Sequence, residues 1–216
     1  MLQAVLWDFG GVLTTSPFES FNRYEHANGL PLDFIRTVNA TNPESNAWAQ
    51  FESSQITLGE FDGLFREESA AAGHPIDGKQ VVALLSGDLR PRMVEVLRIC
   101  KQHLKVGCIT NNVKAGGGSR LARDERRAGD IAAVMELFEV VVQSSVEGVR
   151  KPNPKIYEIA SQRLGVELSR CAFLDDLGVN LKPARALGMS TIKVESEEQA
   201  IDELAALTGL EFPPPA

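Results

Sequence analysis

The chain has 216 residues, enough for one sizeable domain with a modest insertion. Its 44% hydrophobic and 24% charged content matches an ordinary globular protein, and a net charge of −7 argues against general affinity for nucleic acid or an anionic membrane. No signal-peptide pattern opens the chain and no run is long enough to span a bilayer, so a cytoplasmic location is expected. Cys100, Cys108 and Cys171 are widely spaced in apolar patterns and read as reduced, buried thiols, while His26, His74 and His103 lack the spacing of a zinc site.

The first element is an apolar run, residues 4–7, read as a strand that ends on Asp8. Phe9-Gly10-Gly11-Val12-Leu13 follows, so one carboxylate stands at the strand's carboxyl tip with little side-chain bulk beyond it. Residues 16–85 read differently, as helices around 18–28, 32–40, 46–52, 58–72 and 77–85 with no convincing strand. Such a block inserted after a first strand is best explained as a helical cap over the crevice. Its aromatics, Phe18, Phe21, Tyr24, Trp48, Phe51, Phe61 and Phe65, could wall a substrate pocket, but packing the cap's own small core is the favoured assignment.

From residue 91 onward helix and strand alternate. Pro91 opens a helix with Met93, Val96, Leu97, Cys100 and Leu104 on one face, and residues 106–109 form a short strand that ends at Thr110. A polar loop with Gly116-Gly117-Gly118 leads to a helix from about 120 to 137, whose run Arg123-Asp124-Glu125-Arg126-Arg127 is a solvated face. Residues 139–143 are the next strand. Asn153 then caps a helix with Pro154 at its first position, and Gly165 stops it. Strands at 171–174 and 191–194 flank a helix carrying Leu181, Ala184 and Leu187. Ser196 and Gln199 make a capping box for the last helix, and Pro213-Pro214-Pro215 ends the chain in an extended or frayed tail. This alternation predicts an α/β fold, a Rossmann-like parallel sheet with helices on both faces, built from residues 1–15 and 86–216, with residues 16–85 as the cap.

If the strands are parallel, four polar positions converge on one crevice: Asp8; Thr110-Asn111-Asn112; Lys151 in Arg150-Lys151-Pro152-Asn153-Pro154; and Asp175-Asp176, with Asn180 a turn further on. Each alone has an ordinary structural explanation as a cap, a turn or a surface charge. Their order, each at a strand end, is what points to a site. Asp8-Phe9-Gly10 lacks the surroundings of a kinase motif, and Gly116-Gly117-Gly118-Ser119 lacks the Lys-Ser/Thr of a phosphate-binding loop.

Taken together these segments resemble the haloacid dehalogenase superfamily of aspartate-nucleophile hydrolases over nearly the whole chain. Residues 150–157 and 173–184 are similar in particular to the N-terminal phosphatase domain of soluble epoxide hydrolases and to a related domain of acyl-CoA dehydrogenase-like fusion proteins. The epoxide-opening part has no counterpart in these 216 residues, so epoxide hydrolysis is not implied.

The resemblance implies Mg²⁺-dependent phosphomonoester hydrolysis through an aspartyl-phosphate on Asp8. Asp8, Asp176 and the backbone carbonyl of Gly10 would hold the ion. Asp175 would be a further ligand or would orient Lys151. Lys151, Thr110 and Asn111 would hold the phosphoryl oxygens of a small substrate, a sugar or lipid phosphate. One departure stands out: most phosphatases of the superfamily carry a second Asp two residues after the nucleophile, and here that position is Gly10. Turnover with another group moving the proton, a ligand-binding module with little or no turnover, and dehalogenase-type chemistry are the competing consequences.

Overall fold

The computed structural model describes residues 2–85, 87–112 and 122–214, with only the backbone at 122–127. The Gly116–Gly118 loop, the helix start at 120–121, the side chains of 123–127 and Pro215 lie outside the described residues. Five strands form one sheet: β1 (Ala4–Trp7), β2 (Lys105–Thr110), β3 (Val140–Gln143), β4 (Cys171–Asp175) and β5 (Ser190–Lys193). Their order is β3-β2-β1-β4-β5 and every pairing is parallel.

Both faces of the sheet are covered, as an all-parallel sheet requires. Alternation along β1 sends Val5 and Trp7 to one apolar cluster and Ala4 and Leu6 to another. On the Val5 face lie α6 (Pro91–His103), α7 (Ala122–Met135) and α11 (Glu197–Thr208); on the Leu6 face lie α9 (Pro154–Leu164) and α10 (Gly178–Ala186). The anticipated caps form: Asn153 accepts from the Lys155 amide, Gly165 ends α9 at φ 66°, and Ser196 and Gln199 satisfy each other's backbone N–H.

Between β1 and α6 come α1 (Pro17–Ala27), α2 (Phe34–Ala40), α3 (Ala47–Glu52), α4 (Leu58–Ala71) and α5 (Gly78–Ala83). They enclose a third apolar cluster in which Phe21, Phe51, Phe61 and Phe65 are buried and Phe18, Tyr24 and Trp48 are partly buried. The aromatic residues of this segment therefore pack its own core. The two crossings that lead into and out of it run side by side, joined where the Thr15 amide donates to Asp88 O at 2.8 Å and the Arg90 amide to Leu13 O at 2.8 Å. Among the described residues, two short helical elements have no forerunner in the sequence pattern: α8 (Ser144–Glu147), a single turn after β3, and a 3-10 turn at Leu168–Arg170 before β4.

Strand order places the reversal between β1 and β4. The chain builds outward from β1 to β2 and β3, then returns to the other side of β1 for β4 and β5. Connections leaving neighbouring strands in opposite directions open a crevice at their carboxyl ends. Asp8 leaves β1 there, and Asp175 is the last residue of β4.

Candidate active site

The four strand-end segments do meet. Lys151 is wholly buried, and its Nζ lies 2.8 Å from Asp8 Oδ1 and 2.7 Å from Asp175 Oδ2. An ammonium survives such burial only when paired. Burial pulls its pKa down, but the Asp175 and Asp8 carboxylates more than offset this and hold it above the ordinary lysine range. It is therefore a fixed positive charge rather than a proton donor.

Asp8 is 7% exposed, and its Oδ1 also accepts from the Phe9 amide at 2.7 Å. Burial pushes its carboxyl well above the usual carboxylate range; Lys151 opposes the shift, and Asp175 and Asp176 add to it. Asp176 is likewise raised, to about 6, by burial and then by the neighbouring Asp175. One oxygen from each of Asp8, Asp175 and Asp176 falls within 4.8 Å of the others. Three carboxylates against one ammonium leave two negative charges in a confined space when all are ionised. That donor set suits a hard, oxygen-seeking dication.

The two adjacent aspartates differ in what they have left to offer. Asp175 lies in β4 on the face of Cys171 and Phe173, and its oxygens accept from Lys151 Nζ, the Leu177 amide at 2.8 Å and Asn180 Nδ2 at 3.0 and 3.1 Å. Tyr157 O–H in turn donates to Asn180 O at 2.7 Å. Asp175 is thus well supplied with donors, Lys151 among them. Asp176, one residue on, accepts from the Ser16 hydroxyl at 3.4 Å. Gly11 makes room for it: with φ +76°, a Cβ there would sit 2.2 Å from Asp176 Oδ2. A Cβ at Gly10 would meet nothing within 4 Å, so a side chain has room to leave the backbone there.

Thr110 ends β2, 7% exposed, in the same crevice. The side chain of Asn111 is committed to the main chain of Lys151: its Nδ2 donates to Lys151 O at 3.0 Å and its Oδ1 accepts from the Lys151 amide at 2.9 Å. Asn112 Oδ1 accepts from Ser145 N–H and O–H, and its amide donates to the buried Ser144 hydroxyl at 3.0 Å.

Several contributors escape sequence reasoning. Glu52, at the end of α3, is buried and pairs with Arg150 Nε at 2.8 Å. Burial raises its carboxyl, and Arg150 and then Lys151 hold it back. Ser16, Ser144 and Tyr157 support Asp176, the β2 loop and Asn180. Nothing local marks any of them, since each partner lies at least 23 residues away.

A family profile described as haloacid dehalogenase-like hydrolase matches residues 2–188. Among curated proteins, the mouse acyl-CoA dehydrogenase family member 10 is 34% identical over 96% of the chain but only 19% of its own length. Mouse bifunctional epoxide hydrolase 2 is 28% identical over 98% of the chain and 40% of its own length. The chain therefore spans well under half of these two relatives. A Mycobacterium tuberculosis protein named phosphatase MT3486 is 28% identical over 93% of the chain and 91% of its own length. Among solved structures, a Bacteroides thetaiotaomicron enzyme in complex with magnesium and inorganic phosphate superposes with a TM-score of 0.61 at 21% identity, covering 91% of this chain and 96% of that one, a likeness of fold.

Proposed function

Since the chain belongs to the haloacid dehalogenase-like hydrolase family, we propose that it hydrolyses phosphate monoesters, with Asp8 as nucleophile and a magnesium ion in the acidic cluster. The observation that carries this reading is the buried Lys151 ammonium held between Asp8 and Asp175, with Asp176 beside them. The likeness over nearly full length to a protein named a phosphatase supports it.

Asp8 and Asp176, with the Gly10 carbonyl, would hold the ion, while Asp175 serves chiefly to orient Lys151. When bound, the ion supplies charge neutralisation between an anionic nucleophile and an anionic phosphoryl group. The protein's own part is then positional and electrostatic. Lys151 draws Asp8 toward its ionised form and aims its Oδ1 by a 2.8 Å contact. Thr110 and Lys151, with the backbone after Thr110 at Asn111, hold the phosphoryl oxygens as charge shifts to them. Asp8 attacks phosphorus, the P–O bond to the leaving alcohol breaks, and water then cleaves the aspartyl-phosphate to release phosphate and restore the carboxylate. Residues 16–85 act as the cap that selects a small phosphorylated substrate, a sugar or lipid phosphate.

Gly10 removes the usual proton donor to the leaving group, a loss that typically costs about 10²- to 10⁴-fold. Leaving groups that need no proton suffer least. The same glycine favours a second reading, a site that binds metal and a phosphorylated ligand with little turnover. The acidic cluster weighs against dehalogenation, whose halide product needs no metal.

The deciding experiment is phosphate release from p-nitrophenyl phosphate and a panel of sugar and lipid phosphates, with Mg²⁺ or EDTA, against Asp8→Asn as blank. Metal-dependent release that vanishes in Asp8→Asn is expected. Release that persists in the variant would remove the covalent mechanism, and silence across the panel with Mg²⁺ still bound would leave the binding module.

A further inference from the structure

Glu52 belongs to the helical segment, yet both its main chain and its side chain rest on the two loops that carry Thr110 and Lys151. Its backbone O accepts from Ser144 Oγ at 2.8 Å, and the same hydroxyl accepts from the Asn112 amide. Its carboxylate takes Arg150 Nε at 2.8 Å and stands 3.5 Å from Asn111 Nδ2, the amide group that also holds Lys151 O. Arg150 immediately precedes Lys151 and reaches further into the helical segment, donating from Nη1 to Pro43 O at 3.0 Å. Just past Glu52 the chain bends through Ser54, a non-glycine residue at φ 56°, whose hydroxyl donates to Ser145 O at 2.9 Å. A backbone held in that region persists only where its surroundings demand it.

We infer that Glu52 is a positioning residue, coupling the helical cap to Lys151 through Arg150 and Asn111 so that the ammonium is aligned for the phosphoryl group only when the cap is seated. The inference rests on the phosphatase reading above. A partly buried ion pair is a poor choice for adhesion alone, because apolar contacts of similar volume hold surfaces together as well without the cost of partly desolvating two charges. What the pair adds is a charge set at a fixed point beside Lys151. One carboxylate oxygen fixes the guanidinium next to Lys151 and lies within reach of the amide that clamps Lys151 at its N–H and C=O. Three contacts then separate the cap from Asp8: Glu52 to Asn111, Asn111 to the Lys151 main chain, and Lys151 Nζ to Asp8, with Asp175 holding the same Nζ from its other side.

The test uses Glu52→Gln, which keeps the side chain's shape and the backbone acceptor, together with Arg150→Gln and the double variant. Two readouts are taken on the Mg²⁺-loaded protein: kcat and KM for p-nitrophenyl phosphate, and calorimetric binding of inorganic phosphate, which needs no turnover. A misaligned reacting group costs up to about 10²-fold, so each single variant is expected to lose about tenfold or more in kcat/KM and to bind phosphate more weakly. Mg²⁺ affinity stays unchanged, because Asp8 and Asp176 are untouched. The double variant loses no more than either single, the mark of residues acting as one unit. A merely structural role would lower metal binding, phosphate binding and the unfolding midpoint together. Full kcat/KM and phosphate affinity in both single variants, or additive losses in the double, would overturn the inference while leaving wild-type phosphatase activity intact. A wild type that binds phosphate without releasing it removes the phosphatase reading, and the binding arm still decides on Glu52. A wild type that does neither overturns both.

Discussion

Asp176→Asn removes a charge that is costly to hold without a cation beside it, and the size of the effect follows from the surroundings. Burial and Asp175 raise the Asp176 carboxyl from an ordinary 3.8 to about 6. A folded-state pKa above the unfolded one means that stability is fully present below about pH 4 and is lost as pH rises through about 6. About two units at 1.36 kcal/mol each give a penalty of about 3 kcal/mol for the charged form at neutral pH. Asparagine has the same shape, can still accept from Ser16, and does not titrate. In EDTA, the variant should therefore match the wild type near pH 4 and exceed its unfolding free energy by about 3 kcal/mol at pH 7 to 8. Saturating Mg²⁺ should reverse the order, since an ion that binds only the folded state stabilises it and Asp176 is a proposed ligand. The assay is urea unfolding at several pH values in EDTA and in Mg²⁺. A difference that does not change with pH would refute the electrostatic account, and an order that Mg²⁺ leaves untouched would refute the ligand assignment.

Gly10→Asp should fit, since a Cβ there meets nothing within 4 Å. It should raise kcat on alkyl phosphates by at least about tenfold and change p-nitrophenyl phosphate much less, because only the poorer leaving group needs a proton; equal effects on both substrates would contradict the proposed proton deficit. Lys151→Met leaves Asp8 and Asp175 buried without their shared cation. It should cost about 3–5 kcal/mol in urea unfolding in EDTA at pH 7, and a loss below about 1 kcal/mol would show that the triad is not coupled as its distances imply.

Much of the architecture was legible because it is written in short-range signals. The apolar runs ending at Asp8, Thr110 and Asp175, the caps at Asn153 and Ser196, and the helical periodicity of residues 16–85 each act over a few residues, and each has its counterpart among the described elements. The short helix Ser144–Glu147 was not legible, because four residues carry no periodicity to read. Glu52 was equally hidden: on α3 it resembles any polar residue ending a short helix, and its partner Arg150 is 98 residues away.

By itself, then, the sequence determined the strand and helix pattern, and hence that Asp8, Thr110, Lys151 and Asp175-Asp176 would gather at the carboxyl edge of a parallel sheet. Only the tertiary structure decided how they divide the work. In an extended strand neighbouring side chains face opposite ways. Asp175, the last residue of β4, turns with Phe173 to Lys151 and Asn180, whereas Asp176, just past the strand, accepts from Ser16. Which face holds the Lys151 ammonium depends on α9, α10 and its own loop packing there, and on the Glu52 carboxylate brought in from α3. Those are long-range contacts, set by the packing of the whole chain rather than by any neighbouring residues.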